Sequence, residues 1–292
     1  MAALAAEAER VTVNPSSAYP EGPVVAADGV YYAEMGADRV MAWDGNRNRI
    51  VWSRQGCGPT SVSRAGDGAF NILCHMQGSL VRITSDGKTV LIVDRDIDGN
   101  RFITPNASVN DMNGGVYFSS SGGFGPGAPA RGAVLYLDLN DRLRRVAEGI
   151  HYANGVALTP DGRHLYVSEH LSRRVRIYNV TEDGSLSGGR IFVFLDDLVG
   201  ADSGRGWEVG PDGLAVDSVG NLYIAEYGAG RFLIVDSSGH LLNEVAVPER
   251  YITGLALTDD QQRIFVTAPV SLDAPTQPGK VYSVVNPANA TR

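Results

Sequence analysis

Residues 210–239 read GPDGLAVDSVGNLYIAEYGAGRFLIVDSSG, and this layout of turn, strand, turn, strand recurs along most of the 292-residue chain. A unit of roughly 40 residues repeated in this way marks an architecture in which each copy buries its apolar face against the next. Within the quoted stretch the Val219-Gly220 turn precedes the strand LYIAE. Equivalent pairs stand at Asp28-Gly29, Asp67-Gly68, Asn113-Gly114, Asp161-Gly162 and Asp260-Gln261, which makes six units. Asp-Gly and Asn-Gly accept the positive φ that tight hairpins require. Runs rich in aromatic and β-branched residues follow: VYYAE from Val30, FNILC from Phe70, VYFSS from Val116, LYVSE from Leu165 and IFVTA from Ile264. They read as strands.

A third strand follows in every unit (RVMAW, SLVRI, AVLYL, RVRIY, RFLIV, KVYSV), and most units add a fourth, such as IVWSR from Ile50 or IFVFL from Ile191. Four antiparallel strands per unit is the pattern of a propeller blade. The sixth unit is short, because the chain runs into Asn286, Pro287 and a polar tail soon after KVYSV. Its outer strand is expected from RVTVN, Arg10 to Asn14, a closure that protects the sheet edges. The predicted fold is all-β: a six-bladed propeller of four-stranded antiparallel blades, with residues 1–292 forming one domain and the N-terminal strand closing the ring.

Composition sets limits on function. The chain is 43% hydrophobic and rich in Gly, which fits one large β domain, and no linker interrupts it. A net charge of −8 disfavours nucleic acid or an anionic membrane as a main partner, since both attract a basic face. No stretch approaches the roughly 20 apolar residues of a spanning helix. The opening MAALAAEAER lacks the basic start and apolar core of a secretory signal, so a cytoplasmic location is expected. Cys57 and Cys74 are too few for a disulfide scaffold or a thiolate metal site and are expected to act as packing residues.

In a propeller the inner strands surround a central channel, so residues at their leading ends meet although far apart in sequence. Those residues are Glu21 in PEGP, Asn106 in TPN, Asn154 in YANG and Asp212 in GPDG, and all four carry side-chain oxygen. Each alone reads as a turn former or loop cap. Together, two carboxylates and two amides in a narrow channel call for a divalent cation to relieve the facing charges. A hard oxygen set without Cys or His favours Ca²⁺, then Mg²⁺ or Mn²⁺, ahead of Zn²⁺.

With these motifs the chain resembles the gluconolactonase, senescence marker protein (regucalcin) and luciferin-regenerating enzyme family, in particular its bacterial calcium-dependent lactonases. The resemblance runs from about Tyr19 to Pro248 and rests on the ordered set EGP at Glu21, PN at Pro105 followed by GGVYF, ANGVALTPDGRHLYVSE from Ala153 and GPDGLAVDSVGNLYIAEYGAGR from Gly210. It implies a six-bladed propeller in which Glu21, Asn154 and Asp212 hold one catalytic divalent metal, with Asn106 a fourth ligand or a substrate contact. The implied activity is hydrolysis of a lactone, a small-molecule cyclic ester, through a metal-polarised carbonyl and carboxylate-activated water. The family commonly reads PND where this chain has Ala107 after Asn106, so the acidic group beside the metal in relatives is missing. Asp212 is the first substitute as base, since a carboxylate bound through one oxygen still accepts a proton through the other.

Other candidates are weaker. His75 in CHMQG and His151 before YANG are read as substrate contacts at the channel mouth, each against the alternative of a packed strand histidine. Trp207 in GRGWEVG either roofs the pocket or anchors its loop. Glu34, Glu169, His170 and Glu226 end strands and are expected to be solvated. Ser119, Ser120 and Ser121 have no nucleophile elbow, and the stretch Gly122 to Gly132 lacks the Lys-Ser of a phosphate cradle; it reads as a loop over one face, covering the substrate. Residues 122–132 and 196–208 depart most from a generic blade. Two other classes stay open: a different reaction on a cyclic or carbonyl substrate, motivated by Ala107, and a non-catalytic binding propeller of the NHL type.

Overall fold

The second strand of each unit is apolar, or at least uncharged, at consecutive positions, because a blade packs on neighbours through both faces. The second strands Phe70–Cys74 and Val116–Ser120 are buried along their whole length. The computed structural model describes residues 9–65, 68–201, 206–270 and 278–289. It arranges them as six sheets of four antiparallel strands each, a six-bladed β-propeller. The innermost strands, in chain order, are Pro20–Ala26, Pro59–Arg64, Pro105–Asn110, Ala153–Leu158, Gly210–Val216 and Gly254–Leu257. Each leads outward through three further strands. The predicted hairpin pairs fall between first and second strands, except that Asp67 lies outside the described residues, as do residues 1–8 and part of the 196–208 loop.

The ring closes as predicted. Arg10–Ala18 pairs antiparallel with Pro278–Val285, Arg10 opposite Val284, and supplies the outer strand of the sheet whose inner strand is Gly254–Leu257. Among the described residues, helix is confined to Leu195–Val199 and the 3₁₀ turns Met35–Ala37 and His170–Ser172. Among the described residues no helix is long and apolar enough to cross a membrane.

Two local devices shape the hub. The inner strands of blades one to five slip register after their first residues, between Glu21 and Val24, Pro59 and Ser61, Pro105 and Ser108, Ala153 and Val156, and Pro211 and Leu214. Such bulges re-aim side chains, and four of the five lie at Glu21, Asn106, Asn154 and Asp212. Close contact between blades is the second device. A Cβ on Gly155 would stand 2.2 Å from the Asp212 carbonyl oxygen, and one on Gly213 2.6 Å from that of Thr253. The glycine after Asn154 and after Asp212 therefore serves backbone approach between blades; it does not serve a turn.

Two expectations are corrected here. Cys57 and Cys74 are joined by a disulfide, with Cα atoms 4.5 Å apart. The loop before the second blade's inner strand folds back against the end of its second strand and brings the sulfurs together. Such bonds persist mainly in oxidising compartments, so this pair lends the cytoplasmic expectation no support. The strand-end charges are also not solvated: Glu34, Glu169, Glu226 and His170 are all buried. Each glutamate faces an arginine at the start of the next strand, Glu34 with Arg39 at 2.5 Å, Glu169 with Arg174 at 2.6 Å and Glu226 with Arg231 at 2.6 Å. The ion pair makes burial tolerable.

Candidate functional site

Glu21, Asn106, Asn154 and Asp212, drawn from blades one, three, four and five, line one small chamber of about 100 Å³ at the hub. All four are buried. The Asn154 amide donates to the Asp212 carboxylate, and the Gly213 amide also favours its ionised form. Burial nevertheless holds the Asp212 carboxyl well above the usual carboxylate range. Glu21 is raised by burial and then by the negative charge of Asp212. Two like charges held this way cannot both ionise without cost, and a proton or a cation relieves the pair. Asn154 Oδ1 is buried with no hydrogen-bond partner among the described residues. An unpaired buried acceptor is costly, and here it sits in the chamber beside the two carboxylates.

The chamber wall is built by repetition. One position at the end of the second strand faces inward in four blades: Met35, His75 and His170 just after the strand, and Tyr227 as its last residue. In three of them its amide bonds the carbonyl of the residue just before the inner strand: Met35 to Tyr19 at 3.0 Å, His75 to Gly58 at 3.1 Å, His170 to Tyr152 at 3.1 Å. Tyr19, Gly58 and Tyr152 all have positive φ, 50°, 52° and 63°. For tyrosine that conformation is uncommon and is held in place by its surroundings.

The tyrosines are donors. Tyr19 and Tyr227 share a hydrogen bond at 3.3 Å. Burial, then the neighbouring charges, raises the hydroxyl pKa of Tyr19, Tyr152 and Tyr227, so all three stay protonated. His75 donates from Nδ1 to the Pro105 carbonyl at 3.1 Å and is kept neutral by burial, which lowers its pKa. His170, sandwiched between the Glu208 and Pro211 carbonyls at 2.9 and 3.2 Å, is pushed down to about 4 by burial. It ties the segment that carries Asp212 to blade four.

His75 thus lines the chamber with the oxygen groups. His151 and Trp207 do not; they line a separate, larger cleft with Gly125, Arg173 and Asp196. Ala107 packs against apolar residues between blades three and four and lines the narrow channel beneath the chamber. Sequence reasoning missed Tyr19, Tyr152, Tyr227 and Phe124, and placed His170 in solvent. The recurrence of Tyr two residues before Glu21 and before Asn154 was the available signal for two of them.

Known proteins share this fold. Residues 19–269 match the SMP-30/Gluconolactonase/LRE-like region. Lactonase drp35 of Staphylococcus saprophyticus is 28% identical over 201 residues, 66% of this chain, and the match spans only 57% of that relative's length. A gluconolactonase from Xanthomonas campestris superimposes with a TM-score of 0.77 at 24% identity, covering 96% of this chain and 90% of its own. The calcium-binding protein regucalcin from Agrobacterium tumefaciens gives 0.76 at 18% identity, covering 97% of each. These two likenesses speak for the fold alone. The match to residues 19–269 takes in every blade and all four oxygen groups of the hub, and by it the chain belongs to the SMP-30/Gluconolactonase/LRE-like family.

Proposed function

We propose that this protein is a lactonase that uses one divalent metal ion, Ca²⁺ first, held by Glu21, Asn154 and Asp212 with Asn106 as a fourth ligand or substrate contact. One observation carries the reading: two buried carboxylates raised above their usual range share a chamber with an amide oxygen, Asn154 Oδ1, that no described residue satisfies. This donor set fits a hard cation. The names of relatives agree: a lactonase, a gluconolactonase and a calcium-binding regucalcin. We carry both properties, lactone hydrolysis and calcium binding, to this chain.

When bound, the cation neutralises the carboxylate pair and makes the lactone carbonyl electrophilic. The residues of the chain supply the rest. Asp212 accepts a proton from the attacking water through one carboxylate oxygen. That proton passes to the ring oxygen as the acyl–oxygen bond breaks, and a hydroxy acid results. Tyr19, Tyr152 and Tyr227, held protonated, donate to the substrate's oxygens, and neutral His75 offers an acceptor at Nε2 for a substrate hydroxyl. The enclosed chamber limits water around these groups, which strengthens each interaction.

The test is hydrolysis of small lactones by protein stripped with EDTA and reloaded with Ca²⁺, beside calorimetric Ca²⁺ titration. One ion per chain is expected. Asp212→Asn is expected to lower kcat by about a thousandfold, in the range of lost general-base catalysis, and Glu21→Gln to abolish stoichiometric binding. Full hydrolysis by both variants, with no stoichiometric ion bound, would refute the assignment.

A further inference from the structure

Behind one wall of the hub chamber lies a cleft of about 610 Å³, lined by Gly125, His151, Leu171, Arg173, Asp196 and Trp207, among others. Its volume falls in the range of small-molecule sites, roughly 300–1,000 Å³, whereas the chamber of about 100 Å³ admits little beyond a reacting ring. The two spaces stand back to back on consecutive residues: Phe124, Tyr152 and His170 face the chamber, while Gly125, His151 and Leu171 face the cleft. Phe124 is the partition. Its ring packs on Tyr152 at 4.8 Å on one side and on Trp207 at 4.9 Å on the other. Both aromatics keep large open faces, Phe124 43% and Trp207 47% exposed. Two adjacent, half-uncovered rings at the mouth of a buried site have unspent stacking surface.

Among the described residues, the charged and imidazole groups of the cleft are already engaged. Arg173 donates to Asp196 at 2.9 Å, to Glu226 at 3.1 Å and to the Val209 carbonyl at 2.7 Å. The His151 ring bonds the Ala128 carbonyl at 2.6 Å. The guanidinium is thus committed to partners and does not call for an anionic group.

We infer that the cleft is a substituent subsite: the substrates are lactones bearing a neutral, planar apolar group that lies on Trp207, with Phe124 setting how the ring reaches the chamber. This rests on the lactonase reading above and narrows its substrate class. Polyhydroxylated sugar lactones lack the group that such a surface selects.

The experiment compares γ-phenyl-γ-butyrolactone with γ-butyrolactone. The kcat/KM ratio is expected to favour the phenyl compound at least tenfold in the wild type. Trp207→Ala and Gly125→Leu are each expected to bring the ratio to within about threefold of unity. Leucine fits at 125 because a Cβ there meets no atom within 4 Å, so the new side chain fills the cleft without displacing protein. A general loss of activity lowers both rates and leaves the ratio unchanged. A wild-type ratio near one, or a ratio unchanged in both variants, overturns the subsite while leaving the lactonase reading intact. If neither lactone is opened, that reading fails, and calorimetric binding of γ-phenyl-γ-butyrolactam decides the subsite. Binding weakened at least tenfold by Gly125→Leu upholds it, and absent or unaltered binding overturns it.

Discussion

Glu21 and Asp212 act against folding when nothing compensates their charges. In the unfolded chain both ionise near pH 4; in the folded, metal-free chain burial raises both, and the charge of Asp212 raises Glu21 further. The folded state therefore binds more protons than the unfolded state above that pH. Whatever stability the protonated pair lends is complete below the unfolded pKa and is lost as pH rises toward the raised folded values. Glu21→Gln in EDTA is accordingly expected to raise Tm at pH 8 by roughly 2–4 °C, about 1 kcal/mol in a protein of this size. It should do little at pH 4 and should lose the Tm gain that Ca²⁺ gives the wild type. Calorimetric scans at the two pH values check this; a lower Tm for the variant at pH 8 contradicts it. The four oxygen residues were legible in the sequence because they recur at matching strand openings. Tyr19 and Tyr152 were missed although a tyrosine precedes both Glu21 and Asn154 by two residues, because the positive φ both adopt leaves no mark in composition. Glu34, Glu169 and Glu226 were misread because a strand-end charge seems exposed until its partner is found. The repeated spacing of glutamate and arginine five residues apart was there to be read.

At the level of the strand pair, that spacing is a clamp placed at equivalent positions in blades one, four and five, where a glutamate at the end of the second strand meets the first residue of the third. Blade two has Cys74 opposite Ser79 at this place, and the disulfide to Cys57 takes over the fastening. The residue after each clamp, Met35, His75, His170 or Tyr227, walls the chamber, so the clamps hold the site's rim. Closing a loop of 17 residues is worth about 3 kcal/mol by chain entropy. The double change Cys57→Ser and Cys74→Ser is expected to lower Tm by roughly 5 °C or more, and the wild type in dithiothreitol should match it. Equal melting of oxidised and reduced protein would contradict the fastening role. Strands and hairpins were visible from runs of aromatic and β-branched residues and from turn residues. The bond was not, because two cysteines 17 residues apart carry no sign of the loop that folds one onto the other.

For the whole molecule, the count of blades and the closure by the N-terminal strand followed from repetition alone, since a short sixth unit requires an outer strand from elsewhere. Deleting residues 1–18 removes the cover of Pro278–Val285 and the Ser17 hydroxyl that donates to Glu34 at 2.6 Å. An uncovered edge of this length recruits other strands. The shortened chain is expected to form higher-order species by size exclusion with light scattering and to lose a single cooperative transition; a monomer melting like the full chain would oppose this. The relation of the cleft to the chamber was beyond the sequence, because loops 122–132 and 196–208 obey no repeat. Closure also sets a timetable for synthesis. Arg10 leaves the ribosome 274 positions ahead of its partner Val284, a delay on the order of tens of seconds at translation rates of about 5–20 residues per second. Through that interval the nascent chain carries a pleated segment with no mate, and holding it apart from neighbouring polysomal chains is a task for the cell's chaperones.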